Sequence, residues 1–181
     1  MIKWGKRKAR GKETVGMGQP TEWVTHPLDP IFNERSEILI LGSFPSVASR
    51  EAAFYYGNPQ NRFWRVLAEI FGKSLPTGND ERRKLILSNH LALWDVIASC
   101  RIRGSSDSAI ADVVPNDLSR ILANAPIKKI IVNGRTAEKY YLKFLYQQTG
   151  ILPTVLPSTS PANAAWSIER LIDAWREAVR G

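Results

Sequence analysis

Residues 37–42 read EILILG, a run of four aliphatic residues that ends in glycine. A short apolar run bounded by a turn residue is typical of a strand that is buried on both faces. The sequence KKIIVN at residues 128–133, which Gly134 follows, has the same character. We therefore predict two central strands, each of which leads into a loop at a glycine.

Helical patterns lie between the predicted strands. Residues 61–71 place apolar side chains at the spacing of one helical face. The other predicted helices are residues 80–89, a short helix that Asn116 or Asp117 would cap, residues 135–148, and residues 161–179 with Ser160 as the N-cap. Residues 91–97 and 153–156 are predicted strands, and residues 98–115 a polar loop. The alternation predicts an α/β fold, a three-layer sandwich around a central, mostly parallel four-stranded sheet.

The composition excludes several classes of protein. The chain has 181 residues, of which 44% are hydrophobic and 23% charged, as expected for one soluble globular domain. Its sequence contains no apolar run of about 18 residues and no secretory leader pattern, so we expect a cytoplasmic protein with no membrane partner. The single cysteine, Cys100, and the two histidines, His26 and His90, argue against a disulfide framework, an iron–sulfur cluster or a multi-histidine metal site.

Half of the net charge of +8 is concentrated at the amino terminus. Residues 1–24 contain six Lys or Arg and two Glu in a Gly-rich, weakly apolar segment. We predict that this segment is a flexible basic arm and that residues 25–181 form the folded domain. Such a charge distribution favours a polyanionic partner, most often nucleic acid, although a positive surface can also serve solubility alone.

The loops after the predicted strands are the expected ligand site, because ligands of parallel sheets bind at the carboxyl ends of the strands. These loops read GSFPS at residues 42–46 and LPSTSPAN at residues 156–163. The chain contains neither a G-x-S-x-G nucleophile elbow nor a glycine-rich nucleotide-binding motif. Backbone amides, hydroxyls and aromatic rings at strand ends instead suit a pocket that stacks on a flat ring and holds phosphates.

Five short motifs follow one another along the chain: GSFPS at residues 42–46, YYGNPQNRFW at 55–64, LWDV at 93–96, NG at 133–134 and LPSTSPAN at 156–163. In these motifs and in their order the chain resembles the uracil-DNA glycosylase superfamily, and within it the branch called DNA-deoxyinosine (hypoxanthine-DNA) glycosylase. The resemblance extends from about residue 26 to residue 175. It implies the fold of that superfamily and a catalytic domain over residues 25–181.

The resemblance assigns the first loop to the base pocket, which Gly42, Ser43 and Phe44 would line. Phe44 stands where better-known branches carry an Asp or Asn that positions water, and phenylalanine cannot do so. The resemblance transfers that role to Asn61, as a group that orients water without accepting its proton. Alternatively, Asn61 only caps the helix that follows it.

Two further residues are implied to contact the base. Tyr56 matches the aromatic residue that stacks on the extruded base, with a surface ring packed on Tyr55 as the alternative. Asp95 ends a strand where relatives read the edge of the base, although it could instead fix the loop at residues 101–103. Trp94 is predicted to be core.

The second loop is implied to press into the minor groove of DNA. Leu156 stands where the uracil-specific branch has a histidine, so histidine assistance to the departing base is absent. Ser158, Ser160 and Asn163, together with Arg103, are candidate DNA contacts, and Ser160 would also cap the last helix. Asn133 and Gly134 are predicted to form a tight turn at the end of their strand, with a role in the pocket as the alternative, whereas His26 and His90 receive no role.

The resemblance implies a monofunctional DNA glycosylase that acts as a monomer on DNA containing a deaminated base. Hypoxanthine is the expected base, released by base flipping and attack of water on the N-glycosidic bond without metal or cofactor. An enzyme of the same fold that prefers uracil, xanthine or a mismatch is one alternative. A non-catalytic nucleic-acid-binding module is the other.

Overall fold

The structure is a computed structural model that describes residues 21–103 and 109–180. Its strands are β1 (Glu22–Thr25), β2 (Ile38–Gly42), β3 (Leu91–Asp95), β4 (Ile97–Ile102), β5 (Ala111–Pro115), β6 (Lys129–Asn133) and β7 (Thr154–Leu156). Its helices are α1 (Val47–Glu51), α2 (Phe63–Phe71), α3 (Asn79–Leu87), α4 (Ser119–Leu122), α5 (Arg135–Phe144), α6 (Tyr146–Thr149) and α7 (Ile168–Arg180). None of the helices in this described part is long and apolar enough to cross a bilayer.

The predicted central sheet is confirmed. Four parallel strands pair in the order β3-β2-β6-β7. Leu39, Ile40 and Leu41 of β2 have no exposed surface, and neither do Ile130, Ile131 and Val132 of β6. Side chains on both faces of these two strands are buried, which explains why their sequences are continuous apolar runs rather than alternating patterns.

The strand order creates a switch point between β2 and β6. From β2 the chain continues to β3 at one edge of the sheet, and from β6 it continues to β7 at the opposite edge. Because such crossovers are right-handed, their helices cover opposite faces of the sheet. Helix α2 packs against α3 and α7, whereas α5 packs on β6. The result is the predicted three-layer sandwich, with a crevice at the carboxyl ends of β2 and β6.

Helix α2 forms where residues 61–71 predicted one. Phe63, Val66, Leu67 and Ile70 are buried on its inner face, and their i, i+3, i+4 and i+7 spacing is that of one helical face. The helix ends at Gly72, whose φ of 60° is a left-handed conformation that glycine adopts without strain.

The prediction of a polar loop over residues 98–115 was wrong. This segment contains β4 and β5, which form a three-stranded antiparallel sheet with β1 in the order β1-β4-β5. Residues 104–108 lie outside the described part. The β4–β5 pairing contains register shifts, so the sequence lacks the regular alternation by which antiparallel strands are recognised. In addition, β3 ends at Asp95 and β4 starts at Ile97, so Val96 separates two strands where one strand over residues 91–97 had been predicted.

The predicted boundary between residues 24 and 25 falls inside β1, where Val24 pairs with Cys100 and Thr25 with Ser99. Residues 22–24 thus belong to the small sheet. Most of the predicted basic arm, residues 1–20, lies outside the described residues.

The last helix also differs from its prediction. Helix α7 starts at Ile168 rather than residue 161. The hydroxyl Oγ of Ser167 accepts a hydrogen bond from Arg170 N (3.3 Å) at its first turn, whereas Ser160 Oγ accepts from Ala162 N in a preceding turn. Ser160 is therefore not the N-cap of this helix.

Candidate functional site

A cavity of about 330 Å³ lies at the carboxyl ends of the parallel strands. Its lining includes eight of the ten residues singled out from the sequence: Gly42, Ser43, Phe44, Tyr56, Asn61, Asp95, Ser158 and Ser160. Asn133 lines the cavity too, which agrees with the pocket role that was the alternative to a turn. The other two predicted residues, Asn163 and Arg103, do not line it.

The floor of the cavity, which we define as Gly42, Asp95 and His26, rests on the ends of β2 and β3. Gly42 and Asp95 are partners in the parallel register. A Cβ atom on residue 42 would lie 2.2 Å from Asp95 Oδ1 and 3.1 Å from Tyr56 Oη. Only glycine leaves room for both groups, so residue 42 is glycine because two cavity walls approach its backbone.

Asp95 is held from behind by His26, a residue to which the sequence gave no role. The Nε2 atom of His26 lies 2.8 Å from Asp95 Oδ2, and the two side chains are only 2% and 6% exposed. The backbone oxygen of Asp95 accepts from Asn116 Nδ2 at 2.9 Å. Asp95 therefore does not fix the loop at residues 101–103, the alternative considered for it.

Aromatic rings form one wall. Tyr56 stacks on Phe63 with ring centroids 3.9 Å apart and an interplanar angle of 23°, so it does not pack flat on Tyr55. Tyr56 has a φ of 51°, a left-handed conformation that is costly for a bulky residue. Stacking and a hydrogen bond from Asn133 Nδ2 to Tyr56 Oη (3.1 Å) hold it there. Phe44 and Trp94 are 9% and 4% exposed, so Trp94 is core as predicted.

Tyr55 supports the floor from below. Its hydroxyl donates to the backbone oxygen of Asp29 at 2.8 Å, and its ring lies 6.2 Å from that of His26. Burial, and after it the charge of Asp95, raise the pKa of the Tyr55 phenol well above its usual value. Tyr55 is therefore a neutral hydrogen-bond donor at any physiological pH.

Asn61 lies at the edge of the cavity, just before α2. Its Oδ1 atom accepts a hydrogen bond from Phe63 N at 3.0 Å and so satisfies the first backbone N–H of α2, although the N-cap residue itself is Arg62. An amide oxygen has two lone pairs and can accept a second bond. The bond to Phe63 N and a water-orienting role are thus compatible in the same atom.

Asn133 connects the sheet to the opposite side of the cavity. Its Nδ2 donates to Thr159 Oγ1 (2.9 Å) as well as to Tyr56 Oη, and its Oδ1 accepts from Thr159 N (3.0 Å). Gly134 beside it has a φ of 94°, and a Cβ there would lie 3.0 Å from Ser158 Cβ. The turn predicted at Asn133 and Gly134 is therefore also a junction between β6 and the second loop.

The rim, which we define as residues 158–166 together with Arg62, forms the other side. The Arg62 guanidinium donates to the backbone oxygens of four rim residues: Thr159 (3.3 Å), Ser160 (2.7 Å), Asn163 (3.0 Å) and Trp166. The planar guanidinium directs its N–H donors at all four carbonyl oxygens, an arrangement that the ammonium group of a lysine could not reproduce. Sequence reasoning missed Arg62, and nothing in its local pattern predicts such contacts.

The remaining predicted DNA contacts occupy the rim or its surroundings. Ser158 Oγ accepts from Ser160 N at 3.2 Å, and Asn163 Nδ2 donates to the backbone oxygen of Ser158 at 2.9 Å. Arg103 is exposed and directly follows Ile102, which lines the cavity. The phosphate contact expected from the start of the last helix does not apply to Ser158 and Ser160, because α7 begins at Ile168.

The arrangement combines a flat aromatic wall, a buried carboxylate at the floor and an amide oxygen at the edge. Such a cavity suits a planar heterocycle whose edge carries an N–H group, entering from an extended ligand that the rim holds.

Comparisons with known proteins identify a family and several similar chains. The profile of the family described as the uracil DNA glycosylase superfamily matches residues 30–179. A Methanosarcina acetivorans protein named hypoxanthine DNA glycosylase is 39% identical over 142 residues, which are 77% of this chain and 89% of that protein. A Methanosarcina barkeri protein of the same name is 34% identical over 153 residues, 83% of this chain and 95% of that protein. A solution NMR structure of a candidate uracil DNA glycosylase from Methanosarcina acetivorans matches with a TM-score of 0.72 at 36% identity, covering 84% of this chain and 94% of that one.

Proposed function

The chain belongs to the uracil DNA glycosylase superfamily, and from that premise we propose that it is a DNA glycosylase that removes hypoxanthine from DNA. Two relatives that match over most of this chain are named hypoxanthine DNA glycosylases. The observation that carries the proposal is the cavity at the strand ends, where Asn61, Asp95 and Tyr56 converge. The substrate is DNA that contains a deaminated base.

The base is read at the floor. Hypoxanthine carries a hydrogen on N1, which Asp95 Oδ1 accepts, whereas N1 of adenine is itself an acceptor and is repelled by a carboxylate. Tyr56 and Phe44 enclose the ring. Base stacking on an aromatic side chain contributes about 1–3 kcal/mol, enough to offset much of the cost of flipping.

The water is oriented at the edge. Asn61 Oδ1, already bonded to Phe63 N, accepts one hydrogen of a water with its second lone pair and turns the water's oxygen towards the anomeric carbon. An amide cannot accept a proton at neutral pH, so Asn61 orients and does not act as a base. As the C–N bond breaks, its electron pair leaves with the base, and the phosphates of the DNA stabilise the positive charge that develops on the sugar. Water bonds to the anomeric carbon, and the proton that it releases neutralises the departing base, so the products are free hypoxanthine and an abasic sugar.

The rim is proposed to hold the DNA strand that carries the base. Ser158, Ser160 and Asn163 present hydroxyl and amide groups beside the cavity, and Arg103 adds a cation at the end of β4. No lysine is among the described residues that line the cavity, so we propose hydrolysis alone, without a Schiff base or strand cleavage. We also propose that the reaction uses no metal or cofactor. The enzyme acts as a monomer in the cytoplasm, associated with the nucleoid if the cell is prokaryotic.

The test is base release by the purified protein. Duplexes identical except for one hypoxanthine, uracil, xanthine or adenine are incubated with excess enzyme, and the free base is quantified. We expect hypoxanthine release at a rate at least tenfold above that of each other base. Absence of all release while the protein still binds DNA would contradict the proposal and leave a nucleic-acid-binding module.

A second candidate, a glycosylase for uracil or xanthine, is favoured by the same carboxylate. Uracil and xanthine also carry a ring N–H beside a carbonyl, so Asp95 accepts from all three bases. The aromatic wall offers a two-ring purine more stacking surface than it offers uracil, which favours hypoxanthine. Faster release of uracil or xanthine in the same assay would retain the mechanism and change the substrate.

A further inference from the structure

The His26–Asp95 pair is buried beside the cavity, and the proposed chemistry leaves His26 without a role. Both side chains are nearly inaccessible, at 2% and 6% exposure. The imidazole packs edge-on against Phe44, with centroids 6.0 Å apart, and near Tyr55. Burying a carboxylate costs free energy unless a donor compensates for it, so the pair requires an explanation.

The hydrogen bonds assign the tautomer of His26. Its Nδ1 atom accepts from the backbone N–H of Leu28 at 3.1 Å. A ring nitrogen that accepts carries no proton, so the proton of the neutral ring is on Nε2. That atom faces Asp95 Oδ2 at 2.8 Å. His26 is therefore a neutral donor and Asp95 the acceptor.

The direction of this hydrogen bond determines which oxygen of Asp95 faces the cavity. Oδ2 is engaged by His26, while Oδ1 lies on the side of Gly42 and Tyr56. A donor fixed on Oδ2 holds the carboxyl group in one orientation, with Oδ1 on the side of the cavity. Oδ1 then meets a ligand as an acceptor only.

We propose that His26 is a positioning residue that determines base selectivity through Asp95. By donating to Oδ2 it keeps Oδ1 an acceptor, which admits bases with a ring N–H next to a carbonyl and rejects adenine. This inference rests on the proposed function. Guanine also carries such an N–H, so its exclusion depends on the greater cost of flipping it from an intact pair.

The first test replaces the donor. His26→Phe retains the aromatic packing and removes the hydrogen bond, whereas His26→Gln retains an N–H donor. Affinity is measured for duplexes with one hypoxanthine or adenine nucleotide opposite cytosine, each carrying a 2′-fluorine that slows cleavage. We expect His26→Phe to reduce the preference for hypoxanthine about tenfold, which is about 1.4 kcal/mol, and His26→Gln to preserve most of it.

The second test replaces the acceptor that faces the cavity with a donor and leaves His26 unchanged. In Asp95→Asn, His26 still donates to the side-chain oxygen, so the amide NH2 group faces the cavity as a donor. The preference should then shift towards adenine, whose N1 accepts. This variant keeps the test decisive if His26→Phe fails to fold.

An equal loss of affinity for both bases in His26→Phe, or no shift towards adenine in Asp95→Asn, would overturn the inference and reduce His26 to a structural link between β1 and β3. Failure of the proposed function would look different, because the wild-type protein would then release no hypoxanthine from an unmodified nucleotide whatever its binding preference.

Discussion

The floor and the rim of the cavity are built by different means. The floor rests on backbone pairing between two buried parallel strands, with Gly42 and Asp95 in register and His26 behind them. The rim contains no regular element, and four of its carbonyls depend on the guanidinium of Arg62. One side of the site is therefore fixed by backbone pairing within the sheet, and the other by side-chain hydrogen bonds, chiefly those of Arg62.

Because of this difference, the floor and the rim are suited to different tasks. A group on a strand end is held to within a few tenths of an ångström, which reading the edge of a base requires. A loop without regular structure can adapt to a nucleic-acid backbone whose local shape varies. We therefore expect floor substitutions to change base release and selectivity, and rim substitutions to change mainly DNA affinity.

The largest effect is expected at the floor, in Gly42→Ala. The new Cβ would lie 2.2 Å from Asp95 Oδ1, and displacing that group by about 1 Å should lower the rate of base release about 100-fold. Overpacking should also cost about 1–3 kcal/mol of unfolding free energy. Single-turnover assays and urea titration measure the two effects.

Gly78→Ala is the matched control, because a Cβ there has nothing within 4 Å. Equal losses of activity in the two variants would show that the close approach at Gly42 does not matter.

At the rim, Arg62→Ala removes the four hydrogen bonds that hold the backbone of this loop in place. Because hydrogen bonds to charged groups contribute about 1.5–3 kcal/mol each, we expect a less ordered rim that binds DNA about tenfold more weakly. The ratio of hypoxanthine to uracil release should remain within about twofold of the wild-type ratio. Arg176→Ala removes the same charge from an exposed pair with Asp173 and should leave affinity nearly unchanged. A change of selectivity in Arg62→Ala would break the division between floor and rim.

The junction between the two regions can be tested through Asn133. Because it bonds both Tyr56 and Thr159, Asn133→Ala combined with Arg62→Ala should show a coupling of about 1 kcal/mol in unfolding free energy. The pair of Asn133→Ala and Arg176→Ala should be additive. Additivity in both pairs would mean that the rim is held independently of β6.

The smallest effect is expected outside both regions. Removal of residues 1–20, which contain six cations, should lower DNA affinity severalfold at low salt. It should also flatten the dependence of log K on log salt by about 0.7–0.9 for each lost phosphate contact. Base selectivity should not change. An unaltered salt slope, measured by fluorescence anisotropy, would contradict a role of these residues in binding.

The sequence was most informative where structure is local. The apolar runs ending in Gly42 and Asn133 predicted β2 and β6, because strands buried on both faces require such runs. Parallel pairing then determined that the following loops meet at one edge, and so the place of the cavity. The family resemblance supplied Tyr56 and Asn61, which both line the cavity.

The sequence was uninformative where contacts are remote. His26 and Asp95 are 69 residues apart, and Arg62 reaches carbonyls about 100 residues later. Such contacts follow from how elements pack, which leaves no periodic signal. Ser160 followed by Pro161 resembled a helix start, but tertiary bonds from Arg62 hold that segment as turns and delay the helix to Ile168.

The most direct measurement compares Asn61→Ala and Asn61→Asp with the wild type, in hypoxanthine release and in thermal unfolding. Asn61→Asp keeps an oxygen that can bond Phe63 N and a water, whereas Asn61→Ala removes both. We predict that Asn61→Asp retains measurable release. Asn61→Ala should lose release at least about 100-fold, although its stability falls by only about 1 kcal/mol, the usual cost of a lost cap. Hypoxanthine release by Asn61→Ala at the wild-type rate would contradict the account and leave Asn61 as a helix cap alone.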